Sequence, residues 1–164
     1  GLPQAPQGRL MGRIDDRLAE LSITLTDPPA PAGAYVPAIV DGDHVLTSGQ
    51  LPLVDGALPT TGHVGAEVDP EVAKDLARTC AINAIAAIRS VIGDLDRIEQ
   101  VVKVVGFVSS APDFTGQPGV INGASELLGE VFGAAGEHAR SAVGVAALPL
   151  GAPVEVEVTV RVRS

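Results

Sequence analysis

The stretch "PVEVEVTVRVR", residues 153–163, alternates without a break: Val154, Val156, Val158, Val160 and Val162 on one side, Glu155, Glu157, Thr159, Arg161 and Arg163 on the other. Successive side chains of a strand point to opposite faces, so this pattern predicts a strand with one apolar, covered face and one polar face. The cover must come from elsewhere in the chain, and two segments carry the helical spacing it needs. In "DPEVAKDLARTCAINAIAAIRSVIG" (69–93), Asp69 is placed to cap the helix. Pro70 falls in the first turn, where its missing N–H does no harm, and Gly93 marks the stop. Val72, Leu76, Cys80, Ala84, Ala87, Ile88 and Val91 form the apolar stripe of that segment. "QPGVINGASELLGEVFG" (117–133) turns Val120, Ala124, Leu127, Leu128, Val131 and Phe132 inward.

Other strands are predicted at "YVPAIV" (35–40) and "HVLTSGQLPL" (44–53), joined by a "DGD" turn, and at "IEQVVKVVGFVSS" (98–110). "ARSAVGVAAL" (139–148) reads as a buried strand, and the short "PLGA" link lets it pair with 153–163 as a hairpin. The order strand–strand–helix–strand–helix–strand–strand gives an α+β two-layer sandwich, a mixed sheet with two helices on one face. Its other face is only partly polar, which predicts an oligomer that hides it. Ahead of the domain at 34–164, residues 1–10 carry no periodicity and read as a tail, with Met11 a candidate start. "MGRIDDRLAEL" spaces Ile14, Leu18 and Leu21 along one helix face. The prolines of "TDPPAPAGA" then end that helix and leave a linker up to residue 33.

The chain has 164 residues, 46% hydrophobic and 19% charged, which fits one soluble globular domain. No apolar run reaches the roughly 18 residues of a membrane span, and no secretory pattern opens the chain. A lone cysteine, Cys80, allows no intrachain disulfide, so a cytoplasmic location is expected. Cys80 lies on the helix stripe and reads as a small buried hydrophobe. A net charge of −9 with 2% aromatic residues gives neither a basic stripe nor a stacking platform, against nucleic-acid binding. His44, His63 and His138 show no metal-ligand spacing with Cys80.

"HARSAVGVAALP" (138–149) sets Arg140 at the head of an apolar run. A guanidinium beside such a strand needs an anion or water, because burying it unpaired is costly. It is either a structural ion pair at a sheet edge or a clamp whose planar fork takes a ligand carboxylate. Glu155 is either a solvated strand residue or an acid–base group. No nucleophile elbow or phosphate loop is present, and Ser48 and Ser141 lack a His–Asp partnership in sequence.

Four stretches, "AYVPAIVDGDHVLTSGQLPL", "VVKVVGFVSSAPDF", "VINGASELLGEVFG" and "ARSAVGVAALPLGAPVEVEV", resemble the Rid family, also called YjgF-like, in order and spacing over residues 34–162. The extra N-terminal helix is similar to a longer subgroup. The resemblance implies a chorismate-mutase-like fold in a homotrimer with sites in the clefts between subunits. It also implies hydrolysis of reactive enamines and imines of the 2-aminoacrylate type to 2-keto acids and ammonia, with no cofactor or metal. On the same ground Arg140 holds the substrate carboxylate and Glu155 orients the attacking water. Tyr35, Ser48 and Gly49 of "SGQ", Asn122 as a helix-start asparagine, and the backbone at Ala142 line the substrate. Ala142 stands where the short members have a cysteine, a departure that bears on pocket shape. The alternatives are a 2-keto acid-binding protein without turnover and an endoribonuclease, the latter disfavoured by charge.

Overall fold

A computed structural model describes residues 12–29 and 33–164; the tail read at 1–10 and Met11 lie outside the described residues. The elements are α1 (Arg13–Glu20), β1 (Ala38–Asp41), β2 (His44–Thr47), α2 (Pro70–Ile92), β3 (Ile98–Ser109), α3 (Gln117–Phe132), β4 (Ala139–Val145) and β5 (Val154–Val162). The sheet runs β1-β2-β5-β3-β4, antiparallel except for the parallel β3/β4 pair. The five valines of β5 are buried against α2 and α3, as its alternation requires. Asp69 caps α2 by accepting the Glu71 N–H at 2.8 Å, and the chain leaves the helix through Gly93 at φ 79°.

α2 buries a wider arc than one stripe. Ala73, Ala77, Ala81 and Ile85 join the core, because the helix packs against both the sheet and α3. Val72 and Val91, read as inward, are exposed at its two ends. The two helices touch at Gly123, where a Cβ would run into the backbone carbonyl of Lys74. Gly129, six residues on, has open space instead. Gly123→Ala is therefore expected to destabilise the fold by about 1–3 kcal/mol. Gly129→Ala is expected to stabilise it by about 0.5–1 kcal/mol through the backbone alone. Urea unfolding of both variants checks the opposite signs.

The hairpin expected from 139–148 and 153–163 does not form. α3 is a crossover that returns the chain parallel to β3, so β4 takes the outer edge and β5 enters between β2 and β3. Residues 146–153 carry the chain past β3, with Leu150 and Gly151 at positive φ. β4 is accordingly not a buried strand: Ala139, Ser141 and Val143 are exposed at the rim. Ile39, Leu46 and Val143 leave the uncovered sheet face partly apolar.

β2 is shorter than the apolar run suggests. Between the pairs Leu46↔Thr159 and Gln50↔Val156, four steps along one strand face three along the other, the mark of a bulge at Ser48–Gly49. Thr47 fills the gap, its hydroxyl accepting the Val158 N–H at 3.0 Å. At the other end of the molecule α1 buries Ile14 and Leu18, and the Asp96 carboxylate accepts the N–H groups of Arg13 and Ile14, each at 2.9 Å. Burial pushes the Asp96 carboxyl up, but those donors outweigh it and hold the group below its usual range.

Candidate functional site

Arg140 pairs with Val104 and Ala142 with Gly106 across β3/β4, so both side chains lie on the helix-covered face, at its open edge beneath α3. There the Arg140 Nη1 donates to Asn122 Oδ1 at 2.8 Å and to Ser125 Oγ at 3.2 Å, and Nη2 donates to the Pro118 carbonyl at 3.4 Å. Every one of these acceptors is neutral. Among the described residues no carboxylate pairs with Arg140, so the structural ion pair is not its role within the chain. Its Nε–H and one Nη2 hydrogen make no hydrogen bond with described residues and remain to donate to a ligand. Asn122 sits in the second turn of α3 rather than at its start, since the helix begins at Gln117.

The other expected residues gather at the bulge. Ser48 Oγ donates to the Val36 carbonyl at 2.5 Å and its N–H to Pro37, fixing the bulge to the segment that carries Tyr35. Tyr35 is exposed and precedes β1, which begins only at Ala38. Tyr35 and Gly49 line one cleft of about 460 Å³, together with Pro37, Asn83 and Leu150. A Cβ on Gly49 would collide with the Glu155 carboxylate, so the missing side chain is what lets that acid lie against the bulge. Glu155 is half-buried on the face opposite Arg140. Burial first, and the charge of Glu157 second, push its carboxyl above the usual range.

One chain therefore holds two clusters: Arg140, Asn122 and Ala142 at the β4 edge, and Tyr35, Ser48, Gly49 and Glu155 at the β2 bulge. β3 lies between them, and the two acidic and basic groups face opposite sides of the sheet.

Two residues at the first cluster escaped the sequence reading. Ser125 Oγ meets His138 Nε2 at 2.9 Å, and His138 Nδ1 meets the Gly136 carbonyl at 2.6 Å. The signal was present: Asn122 and Ser125 are three apart on one helix face, and His138 stands two residues before Arg140, just ahead of β4. His44 contacts Asp43 and His63 contacts Glu67 and the Ala146 carbonyl. Cys80 is buried in the core, which pushes its thiol well above the usual range.

Against known proteins, a family model described as "YjgF/chorismate_mutase-like, putative endoribonuclease" matches residues 15–159. Protein TCP17 of Trypanosoma cruzi is 44% identical over 154 residues, covering 93% of this chain and 96% of that protein. The 2-iminobutanoate/2-iminopropanoate deaminase of Escherichia coli K12 is 32% identical over 136 residues, 83% of this chain and 93% of that one. The crystal structure of Atu1372 from Agrobacterium tumefaciens superposes with a TM-score of 0.85 at 44% identity, over 92% of this chain and 94% of that one.

Proposed function

Because the chain belongs to the YjgF/chorismate-mutase-like family, we propose that it hydrolyses small carboxylate-bearing imines and their enamine tautomers to 2-keto acids and ammonia. The observation that carries this reading is Arg140, a guanidinium that among the described residues meets only neutral acceptors and keeps its Nε–H and one Nη2 hydrogen to donate. A ligand carboxylate supplies both the missing charge and two acceptors in the right plane. The 32% identical deaminase is named for substrates that carry such a carboxylate.

The chemistry asks little of the protein. A protonated imine carbon is already electrophilic, so the site must anchor the substrate, hold one water and shut out competitors. Glu155 accepts a proton from that water as its oxygen bonds to the imine carbon, giving a carbinolamine. The proton then passes to the nitrogen; as the C–N bond breaks and ammonia leaves, the hydroxyl gives its proton to the freed Glu155 carboxylate and the carbon keeps the oxygen as a ketone. Asn122 and the backbone at Ala142 flank the anchored carboxylate; Tyr35, Ser48 and Gly49 shape the water side.

Arg140 and Glu155 face opposite sides of one sheet, so we assign them to a site completed by a neighbouring copy. A homotrimer, with its partly apolar sheet faces turned inward, creates three such clefts. The test is complementation. Arg140→Ala and Glu155→Gln proteins, each strongly impaired at subsaturating substrate, are mixed, dissociated and reassembled, and 2-keto acid formation from subsaturating, dehydratase-generated 2-iminobutanoate is followed. Random assortment restores one good site in about four. Recovery near a quarter of wild-type activity supports the shared site, and no recovery from trimeric mixtures overturns it. An inactive wild type overturns the deaminase reading itself.

A further inference from the structure

The Gly136 carbonyl can only accept a hydrogen bond, so the hydrogen between it and His138 sits on Nδ1. In the neutral ring Nε2 is then an acceptor, and the Ser125 hydroxyl must donate to it. With its only hydrogen committed there, Ser125 Oγ presents lone pairs alone toward Arg140. Asn122 is fixed in the same sense, because a guanidinium has no acceptor and the amide must turn its oxygen inward. Two acceptors one turn apart on α3 thus hold Nη1, the Pro118 carbonyl holds Nη2, and the three contacts together restrain the guanidinium while Nε–H makes no hydrogen bond with described residues.

We propose that His138 and Ser125 are positioning residues, a two-step hydrogen-bond relay from the Gly136 carbonyl that locks the Arg140 fork in the orientation that receives a carboxylate. The inference rests on the reading of Arg140 as the carboxylate anchor. Its physical content is pre-organisation: an arginine already held in one plane gives up less side-chain freedom when the ligand arrives. His138 acts without touching the ligand, as outer partners of a binding group do elsewhere.

The test uses the intact oligomer and two probes. Long-range ¹⁵N spectra of the wild-type protein without ligand are expected to show His138 as the Nδ1–H tautomer; the Nε2–H tautomer overturns the relay. Calorimetry with 2-oxobutanoate is expected to show Kd raised about tenfold in Ser125→Ala, while turnover of saturating imine stays within about twofold. Ser125→Thr, which keeps the hydroxyl, is expected to bind within about threefold of wild type. Ser125→Ala combined with His138→Ala should bind no more weakly than Ser125→Ala alone, because the histidine works only through the serine. Unchanged Kd in Ser125→Ala, no rescue by threonine, or losses that add in the double variant each overturn the proposal. The anchor reading is tested separately by Arg140→Ala: if it binds 2-oxobutanoate as tightly as wild type, or if wild type does not bind, that reading fails whatever the His138 tautomer is.

Discussion

Arg140→Ala is expected to lower kcat/KM for 2-iminobutanoate by about a hundredfold or more, while the oligomer and its thermal midpoint stay close to wild type. A bidentate, charge-assisted contact to a carboxylate is worth several kcal/mol, and losing it leaves the ligand's charge without a partner. The fold does not share that loss. Among the described residues the side chain bonds only Asn122, Ser125 and the Pro118 carbonyl, all half-buried or exposed, and water replaces it there. Most of the effect should fall on KM, since the carboxylate is held equally in ground and transition states. Arg140→Lys separates charge from geometry. An ammonium keeps the charge but cannot offer two parallel N–H groups while also holding Asn122 and Ser125, so it should recover only part of the loss. Steady-state kinetics of the three proteins, with thermal unfolding alongside, read both halves of the expectation. Equal kcat/KM in wild type and Arg140→Ala overturns the anchor.

The layers of this fold were legible because burial writes itself into spacing. The valine alternation of β5 and the capped, striped segment at 69–93 each name the face that is covered, and the two helices do cover it. Pairing order is not written in the same way. A run such as "SAVGVAAL" has no polar alternation to separate an edge strand from a central one, and a short link suggests a hairpin whether or not one forms. What decided the topology was the α3 crossover, a contact between residues distant in sequence. The site divides along the same line. Arg140 and Glu155 were candidates from the residues themselves and took their roles from the family resemblance, which alone supplied Asn122 and Gly49. The bulge that seats Gly49 on Glu155 and the Ser125–His138 pair are products of register, which one residue more or less would change. Arg140 itself was legible as a charge in search of an anion. That no carboxylate among the described residues answers it is a fact of the folded chain.

Glu155→Gln is expected to cost about 10²–10⁴ in kcat, the range for losing a positioned base, and to remove the acid limb of the pH–rate profile. The wild-type limb should lie at higher pH than an exposed glutamate would give. Burial and the neighbouring Glu157 both favour the neutral acid, and only the ionised form can take a proton from water. Glu157→Gln deletes the second cause and keeps the first, so its limb should move to lower pH without reaching that of an exposed carboxyl. Stability must move the other way. A carboxyl whose folded pKa is raised contributes stability that is complete below its unfolded pKa and is lost as pH rises through the folded one. Wild type should therefore lose stability relative to Glu155→Gln as pH rises through the raised pKa of Glu155, over the same interval in which it gains activity. Denaturant unfolding and kcat measured across that interval give two curves of opposite slope if one carboxyl governs both. A limb that survives in Glu155→Gln, or that stays in place in Glu157→Gln, assigns the base elsewhere. The half-buried seat against Gly49 thus trades stability for a carboxylate that holds its proton more tightly than an exposed one, the kind of shift that marks groups in binding clefts.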